Sequence, residues 1–145
     1  MAKYSVQIRM HTVSSSPGYQ TQDNELITYG TYIYTPQKQI ISYTEDSENG
    51  FEGHRATIHV TKEEVVFSRY GTYGGKMHIV TGDTTLYDYK TPYGQLPLSV
   101  KGLQLKNGLT PAGGTLKLSF LLTDTPANPA IKNTLTITIK KRNEE

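Results

Sequence analysis

The feature that most constrains the fold of this chain is a one-by-one alternation of apolar and polar residues. It is clearest in residues 4–11, 54–61, 115–123 and 135–139. A period of two places successive side chains on opposite faces of an extended strand, so each of these segments predicts a β-strand with one buried face. No segment shows a helical period, and turn-forming residues interrupt the pattern about every ten residues.

Glycine and proline mark where these strands turn or bend. Turns are predicted at Gly74-Gly75, at Gly82-Asp83 and at residues 91–94 (Thr-Pro-Tyr-Gly). Gly30 lies in the middle of an apolar segment, where it indicates a sharp bend or the close approach of another backbone. At Gly102 the apolar residues change phase, and a β-bulge would explain the change.

These segments amount to about ten strands in a chain of 145 residues, which is the size of one domain. Consecutive antiparallel pairing is the simplest topology for such strands. Because an open sheet would expose its edges, we predict a closed, antiparallel, up-and-down β-barrel of about 8–10 strands, with a two-sheet sandwich as the alternative. The single domain spans 1–145, with a long loop at about 14–24 and a disordered tail at about 141–145.

Composition excludes several classes of protein. The chain has no cysteine, so it contains no disulfide, no thiolate nucleophile and no cysteine-bound zinc. The formal net charge of +2 gives no strong nucleic-acid signal. No segment approaches the roughly 20 apolar residues of a membrane-spanning helix, and the N-terminal residues 1–10 do not form a signal peptide. We therefore expect a soluble, cytoplasmic protein.

The sequence contains no recognisable catalytic or metal-binding motif. Its four histidines, at 11, 54, 59 and 78, lack the spacing of a zinc site. The acidic segment 45–53 lacks the ligand pattern of an EF-hand. No serine lies in a glycine-flanked nucleophile elbow, although a triad can also assemble from distant residues. We expect no metal and no cofactor, and an enzymatic role has no support.

Arg69 is the most unusual residue of the pattern, because it shares one strand face with Val65 and Phe67. One interpretation is a cation that faces a ligand, paired with Glu45 or Asp88 and flanked by tyrosines, which would suit a carboxylate or phosphate on an otherwise apolar ligand. The other, which we favour, is an internal ion pair that fixes the strand register. The candidate ligand-binding residues are Arg69, Tyr43, Glu45, Tyr32, Tyr34 and Asp88.

Several short motifs occur in an order that resembles a known family. They are Tyr29-Gly30-Thr31-Tyr32-Ile33-Tyr34, Ser42-Tyr43-Thr44-Glu45, Arg69-Tyr70-Gly71, Thr81-Gly82 and Thr91-Pro92-Tyr93-Gly94. Together they resemble the YwiB-like family of uncharacterised Firmicute proteins. That resemblance implies a small calycin-like, or lipocalin-like, β-barrel in a bacterial cytoplasm, and it implies no reaction. The matching positions are Gly30, Tyr43, Glu45, Arg69, Gly71, Gly82 and Gly94.

Two functions from different classes are compatible with such a barrel. The first is non-enzymatic binding of a small amphipathic or apolar ligand in the interior, with Arg69 and tyrosines as polar anchors. The second is a protein-interaction or self-associating module, including a homodimer, that uses the loops 14–24 and 107–114. The size and lining of the barrel interior distinguish them, because an open pocket favours a ligand and a filled interior favours a scaffold.

Overall fold

The computed structural model describes residues 3–44, 55–70, 74–124 and 128–142, and these form ten β-strands. The four predicted alternating segments each overlap a strand, and no helix is present in the described ranges. The strands are β1 (Lys3–Ser15), β2 (Gln22–Tyr34), β3 (Gln39–Thr44), β4 (Arg55–Val60), β5 (Glu64–Tyr70), β6 (Lys76–Val80), β7 (Thr84–Thr91), β8 (Gly94–Thr110), β9 (Gly113–Thr123) and β10 (Ile131–Lys141).

All ten strands belong to one antiparallel sheet, and every ladder of that sheet except one pairs strands that follow each other in sequence. The exception is the pair of β1 and β10, which joins the first and last strands through ten residue pairs from Val6↔Lys141 to Ser15↔Lys132. The sheet order is therefore β6-β5-β4-β3-β2-β1-β10-β9-β8-β7. The predicted antiparallel up-and-down barrel is confirmed.

The barrel is nearly closed, and its seam lies between β6 and β7. An antiparallel bridge joins Gly74 to Lys90 at one end of the seam, and a parallel bridge joins Thr81 to Gly102 at the other. Between the two bridges, the hydroxyl of Thr85 donates to the carbonyl oxygen of His78 at 2.6 Å. Isolated bridges and one side-chain bond thus replace the continuous ladder that joins the other strand pairs.

The two ends of the barrel differ. The end formed by the β2–β3, β4–β5, β6–β7 and β8–β9 turns, here called the closed end, is filled by side chains. Eleven residues are less than 2% exposed, and most of them pack in this half: Tyr32, Ile8, Ile41, Ile58, Leu116, Leu118, Ile137, Val6, Val60, Val65 and Val100. The opposite end, which carries the β1–β2 and β7–β8 turns, is here called the open end.

Polar groups at the closed end are satisfied within the protein. The phenol of Tyr32 donates to the carbonyl oxygen of Thr110 at 2.8 Å. The amide of Asn107 donates to the side-chain oxygen of Gln39 at 2.8 Å, and the amide of Gln39 donates to the carbonyl oxygen of Thr35 at 2.7 Å. These bonds tie the β8–β9 hairpin to β2 and to the β2–β3 turn, and they stabilise the closed end.

Local expectations from the sequence compare well with the strands. The register of β8 against β9 shifts between Gly102 and Gln104, which is the predicted bulge. Gly30 pairs with Val6 and Tyr43, and a Cβ atom there would overlap the carbonyl oxygen of Ser42, so glycine is needed for close approach of the backbones. Strands β1 and β2 extend into the predicted loop at 14–24, which leaves residues 16–21 between them.

The contact at Gly30 generates a stability prediction. Gly30→Ala would force β2 away from β3, because its new methyl group meets a main-chain oxygen that cannot move alone. We expect a loss of about 1–3 kcal/mol in the free energy of unfolding, measured by urea denaturation. Thr28→Ala, two residues away on the same face of β2, is the control and should cost less. A Gly30→Ala protein as stable as the wild type would contradict the close approach.

Candidate functional site

The open half of the barrel contains two adjoining cavities instead of a packed core. The inner cavity has a volume of about 230 Å³ and the outer one, here called the mouth, a volume of about 670 Å³. Successive inward residues of single strands line first one and then the other: Tyr87 and Tyr89 on β7, and Leu135 and Asn133 on β10. The two cavities therefore follow each other along the barrel axis.

The inner cavity has an apolar wall with a small number of polar groups. Met10, Phe67, Met77, Phe120 and Leu135 supply the apolar side chains. The polar residues that line it are Arg69 and Ser68 on β5, Tyr43 on β3, Thr57 on β4, Tyr87 on β7 and Thr12 on β1. Strand register explains why they meet, since Ala56 pairs with both Tyr43 and Arg69, and residues directly opposite in a ladder share a face.

The position of Arg69 is determined by the glycines that follow it. The backbone N–H of Arg69 donates to the carbonyl oxygen of Gly75 at 2.9 Å. Gly74 has φ of +104°, and a Cβ atom there would lie only 2.7–2.9 Å from the Cβ, Cγ and Cδ atoms of Arg69. Glycine at position 74 therefore permits the backbone conformation and also leaves space for the aliphatic part of the Arg69 side chain, which lies against the main chain.

Tyr87 is a phenol of the inner cavity whose pKa is shifted by its surroundings. Burial raises the pKa of Tyr87 above its ordinary value, and neighbouring Tyr89 raises it further, while the nearby Arg69 guanidinium lowers it in part. The rings of Tyr87 and Tyr89 stack with centroids 5.6 Å apart and planes 14° apart. At neutral pH, Tyr87 is therefore an uncharged hydroxyl, able to donate a hydrogen bond beside a fixed cation.

The mouth has an apolar floor and a hydrogen-bonding rim. Leu96, Leu98, Leu122 and Ile131 contribute the floor, and residues 14–16 with Gln20 and Gln22 contribute much of the rim. The hydroxyl of Ser14 donates to the amide oxygen of Asn133 at 2.7 Å, which links β1 to β10 at this level. Neither lysine nor arginine occurs among the described residues that line the mouth, and their one acidic residue is Asp124, so the guanidinium of Arg69 lies below a mostly apolar entrance without a basic side chain.

The structure brings together only part of the predicted site. Arg69 and Tyr43 line the inner cavity together. Asp88, predicted as a partner of Arg69, is exposed on the outer face of β7 opposite Pro97, because the alternation that turns Tyr87 and Tyr89 inward turns Asp88 outward. Glu45, the other predicted partner, lies outside the described residues.

Tyr32 and Tyr34 lie at the closed end and not in the cavity. Tyr32 is fully buried, and its ring is 6.4 Å from that of Tyr34 at an angle of 53°. Burial raises the pKa of Tyr32 to about 12, with a smaller contribution from Tyr34, so its phenol remains the donor to Thr110. Their contacts stabilise the packed half of the barrel.

Sequence reasoning missed Tyr87, Tyr89 and the leucines of the mouth. The available signal was the phase of β7, in which Tyr87 and Tyr89 alternate with Asp88 and with Leu86. Leu86 obscured that phase, because it is apolar and yet 84% exposed on the outer face.

No group of three or more histidine, aspartate or glutamate side chains that could hold a metal ion occurs among the described residues. These residues also include no helix with the length and hydropathy needed to span a bilayer.

Comparisons with known proteins agree on the fold and leave the chemistry open. The family model described as "Domain of unknown function (DUF1934)" matches residues 8–137. The crystal structure of the ywiB protein from Bacillus subtilis is similar over 97% of this chain and 94% of that chain, with a TM-score of 0.84 and 20% sequence identity. At that identity the likeness shows the fold alone. A comparison with curated proteins found no match.

The raised pKa of Tyr32 generates a prediction about alkaline stability. The phenol of Tyr32 holds its proton more tightly in the folded protein than in the unfolded chain, in which its pKa is near 10. The contribution of this proton to stability is therefore complete below pH 10 and is lost as the pH rises towards 12. Tyr32→Phe should cost about 1 kcal/mol at pH 8, because Thr110 loses its donor, and the difference from wild type should shrink between pH 10 and 12.

Urea denaturation at successive pH values measures this difference. Tyr29→Phe, which alters a tyrosine that is 54% exposed, is the matched control. A Tyr32→Phe cost that stays constant from pH 8 to pH 12 would contradict the assignment of the buried donor. An unchanged affinity of Tyr32→Phe for ligands of the cavity is also expected, because the phenol points away from it.

Proposed function

Because the chain belongs to the DUF1934 family of domains of unknown function, whose description names no activity, we propose a function from the cavity itself. The protein binds a small amphipathic ligand inside the open half of its barrel. One observation carries the proposal: a cavity bordered by a guanidinium and two phenols lies beneath a mouth with an apolar floor. The mouth, with about 670 Å³, is in the range of small-molecule sites, which are roughly 300–1,000 Å³, and the inner cavity of about 230 Å³ extends it.

The lining indicates how such a ligand would be oriented. A carboxylate or phosphate fits the inner cavity, where the Arg69 guanidinium and the hydroxyls of Tyr87 and Tyr43 supply donors. The apolar part of the ligand fits the mouth, against Leu98 and Leu122. An arginine has five N–H donors, so Arg69 can keep its contacts within the protein and still bind an anion.

We propose binding rather than catalysis, because the described lining of both cavities contains no histidine to serve as a base beside its serines. A barrel with one filled end and one open end also suits a container, since the packed half maintains the shape of the open half. We also propose a cytoplasmic location, because the resemblance of the sequence motifs to a bacterial family implies that setting.

A second candidate is self-association or protein interaction through the open end. Tyr93 and Tyr19, which belong to the β7–β8 and β1–β2 turns, are 99% and 73% exposed. Exposed tyrosines are frequent in protein interfaces, where they add contact area at a low entropic cost. Sedimentation equilibrium tests this candidate: a dimer that Tyr93→Ser with Tyr19→Ser abolishes would favour it, and a monomer at all concentrations would count against it.

The role of Arg69 can be tested with a fluorescent fatty acid, 11-(dansylamino)undecanoate, and its uncharged methyl ester. Arg69→Met should weaken binding of the acid at least tenfold, or about 1.4 kcal/mol, because charge-assisted hydrogen bonds are lost. The ester should bind the variant and the wild type alike. Fluorescence titration measures both affinities.

Lys76→Met is the control for Arg69→Met, because Lys76 is exposed on the outer face of neighbouring β6. It should leave both affinities unchanged. An Arg69→Met protein that is more stable than the wild type and binds the acid equally well would show that Arg69 is a structural ion pair. A wild-type protein that binds neither probe would overturn the proposed function.

The floor of the mouth gives a separate prediction. Leu98→Asp places a carboxylate where the apolar part of the ligand would lie, so binding of the acid and of the ester should both fall at least tenfold. Leu86→Asp, on the exposed outer face of β7, should alter neither affinity. Thermal unfolding with no probe present checks that Leu98→Asp remains folded. Equal binding by the two variants would place the probe outside the mouth.

A further inference from the structure

The charges of this chain are segregated between its two parts, although the formal net charge is only +2. Residues 94–142 contain seven of the fifteen lysine and arginine residues but one of the thirteen aspartate and glutamate residues, Asp124. In the barrel these residues form three adjacent strands, β8, β9 and β10. One side of the barrel is therefore strongly basic.

Five lysines of this side share the outer face of the three strands. Lys106 pairs with Lys117, which pairs with Thr136, so these three side chains form one row across the sheet. Lys101 and Lys132 both pair with Leu121, which places them in a second row with two strand spacings, roughly 10 Å, between them. Lys140 extends the same face towards the closed end. All five lysines are exposed, and together they are here called the lysine face.

Within the described residues, the lysine face is not balanced by carboxylates. In the described part of the chain, none of the five lysines forms an ion pair with an acidic side chain. The directly opposed pair of Lys106 and Lys117 is an unfavourable arrangement by itself, because like charges opposite each other destabilise a sheet. A bound polyanion would relieve the repulsion between these lysines, and this relief would contribute to the affinity.

We propose that the lysine face binds the phosphate backbone of double-stranded nucleic acid without reading its sequence. Lysines supply the positive charge, and the half-buried Thr136 and Thr138 between them offer hydroxyl donors for phosphate oxygens. From Lys132 to Lys140 the face extends about 27 Å along β10, which is most of one turn of a duplex.

A duplex fits this face better than a single strand does. Proteins that bind single strands stack the bases on aromatic side chains. The only aromatic residue in β8, β9 and β10 is Phe120, which is 6% exposed and faces the core. The lysine face also lies on the outer surface of the wall and the ligand cavity on its inner surface, so the two sites use different side chains of the same strands.

Fluorescence anisotropy with a labelled 20-base-pair duplex tests the proposal. At 50 mM salt we expect saturable binding, which weakens by about two orders of magnitude or more at 200 mM salt because each neutralised phosphate releases counterions. The triple variant Lys106→Gln, Lys117→Gln, Lys132→Gln should bind at least tenfold more weakly at 50 mM salt. Its plot of log affinity against log salt should have a slope that is shallower by about 2.7.

The control is a second triple variant, Lys38→Gln, Lys62→Gln, Lys76→Gln, which removes the same charge from exposed lysines outside the face. It should bind nearly as the wild type does. Equal losses in the two triple variants, or no binding at 50 mM salt, would overturn the proposal. Equal affinity for a single strand, for polyglutamate or for vesicles with anionic lipids would also overturn it, because each assigns the face to another partner.

Discussion

The ladder between β1 and β10 is the contact on which the rest of the barrel depends, because it joins the first strand to the last. Nine strand pairs form the sheet, and eight of them connect neighbours in sequence. The remaining pair brings together residues more than 100 positions apart, so its loop-closure entropy is the largest of all. From this ladder the sheet curves round in both directions until β6 and β7 meet, so the weakest junction lies between strands in the middle of the chain.

This arrangement divides the interior into a half that maintains the fold and a half that is available for function. At the closed end, aliphatic side chains fill the space, and hydrogen bonds of Tyr32, Gln39 and Asn107 satisfy the polar groups of the hairpin turns. Towards the open end, Gly75 faces the carbonyl oxygen of Asp88 and the ring of Tyr87, which keeps space beside Arg69. Packing in one half allows the other half to retain a cavity.

The alternation pattern predicted the strands well because it reports burial on one face of a sheet. It also predicted the close approach at Gly30 and the bulge at Gly102, where the pattern itself is interrupted. The candidate site was only partly predictable. Tyr32 packs in the filled end and Tyr87 lines the inner cavity because they lie at different levels along the barrel axis. That level follows from strand tilt and register and not from local sequence.

The bulge at Gly102 shows how one backbone irregularity serves both surfaces of the wall. Before it, Leu98 and Val100 face inward and Lys101 faces outward; after it, Leu105 faces inward and Lys106 outward. Lys101 and Lys106 are five positions apart, so an uninterrupted period of two would turn one of them into the core. The extra residue restores the phase, and β8 can then contribute to the floor of the mouth, to the packed core and to the lysine face at once.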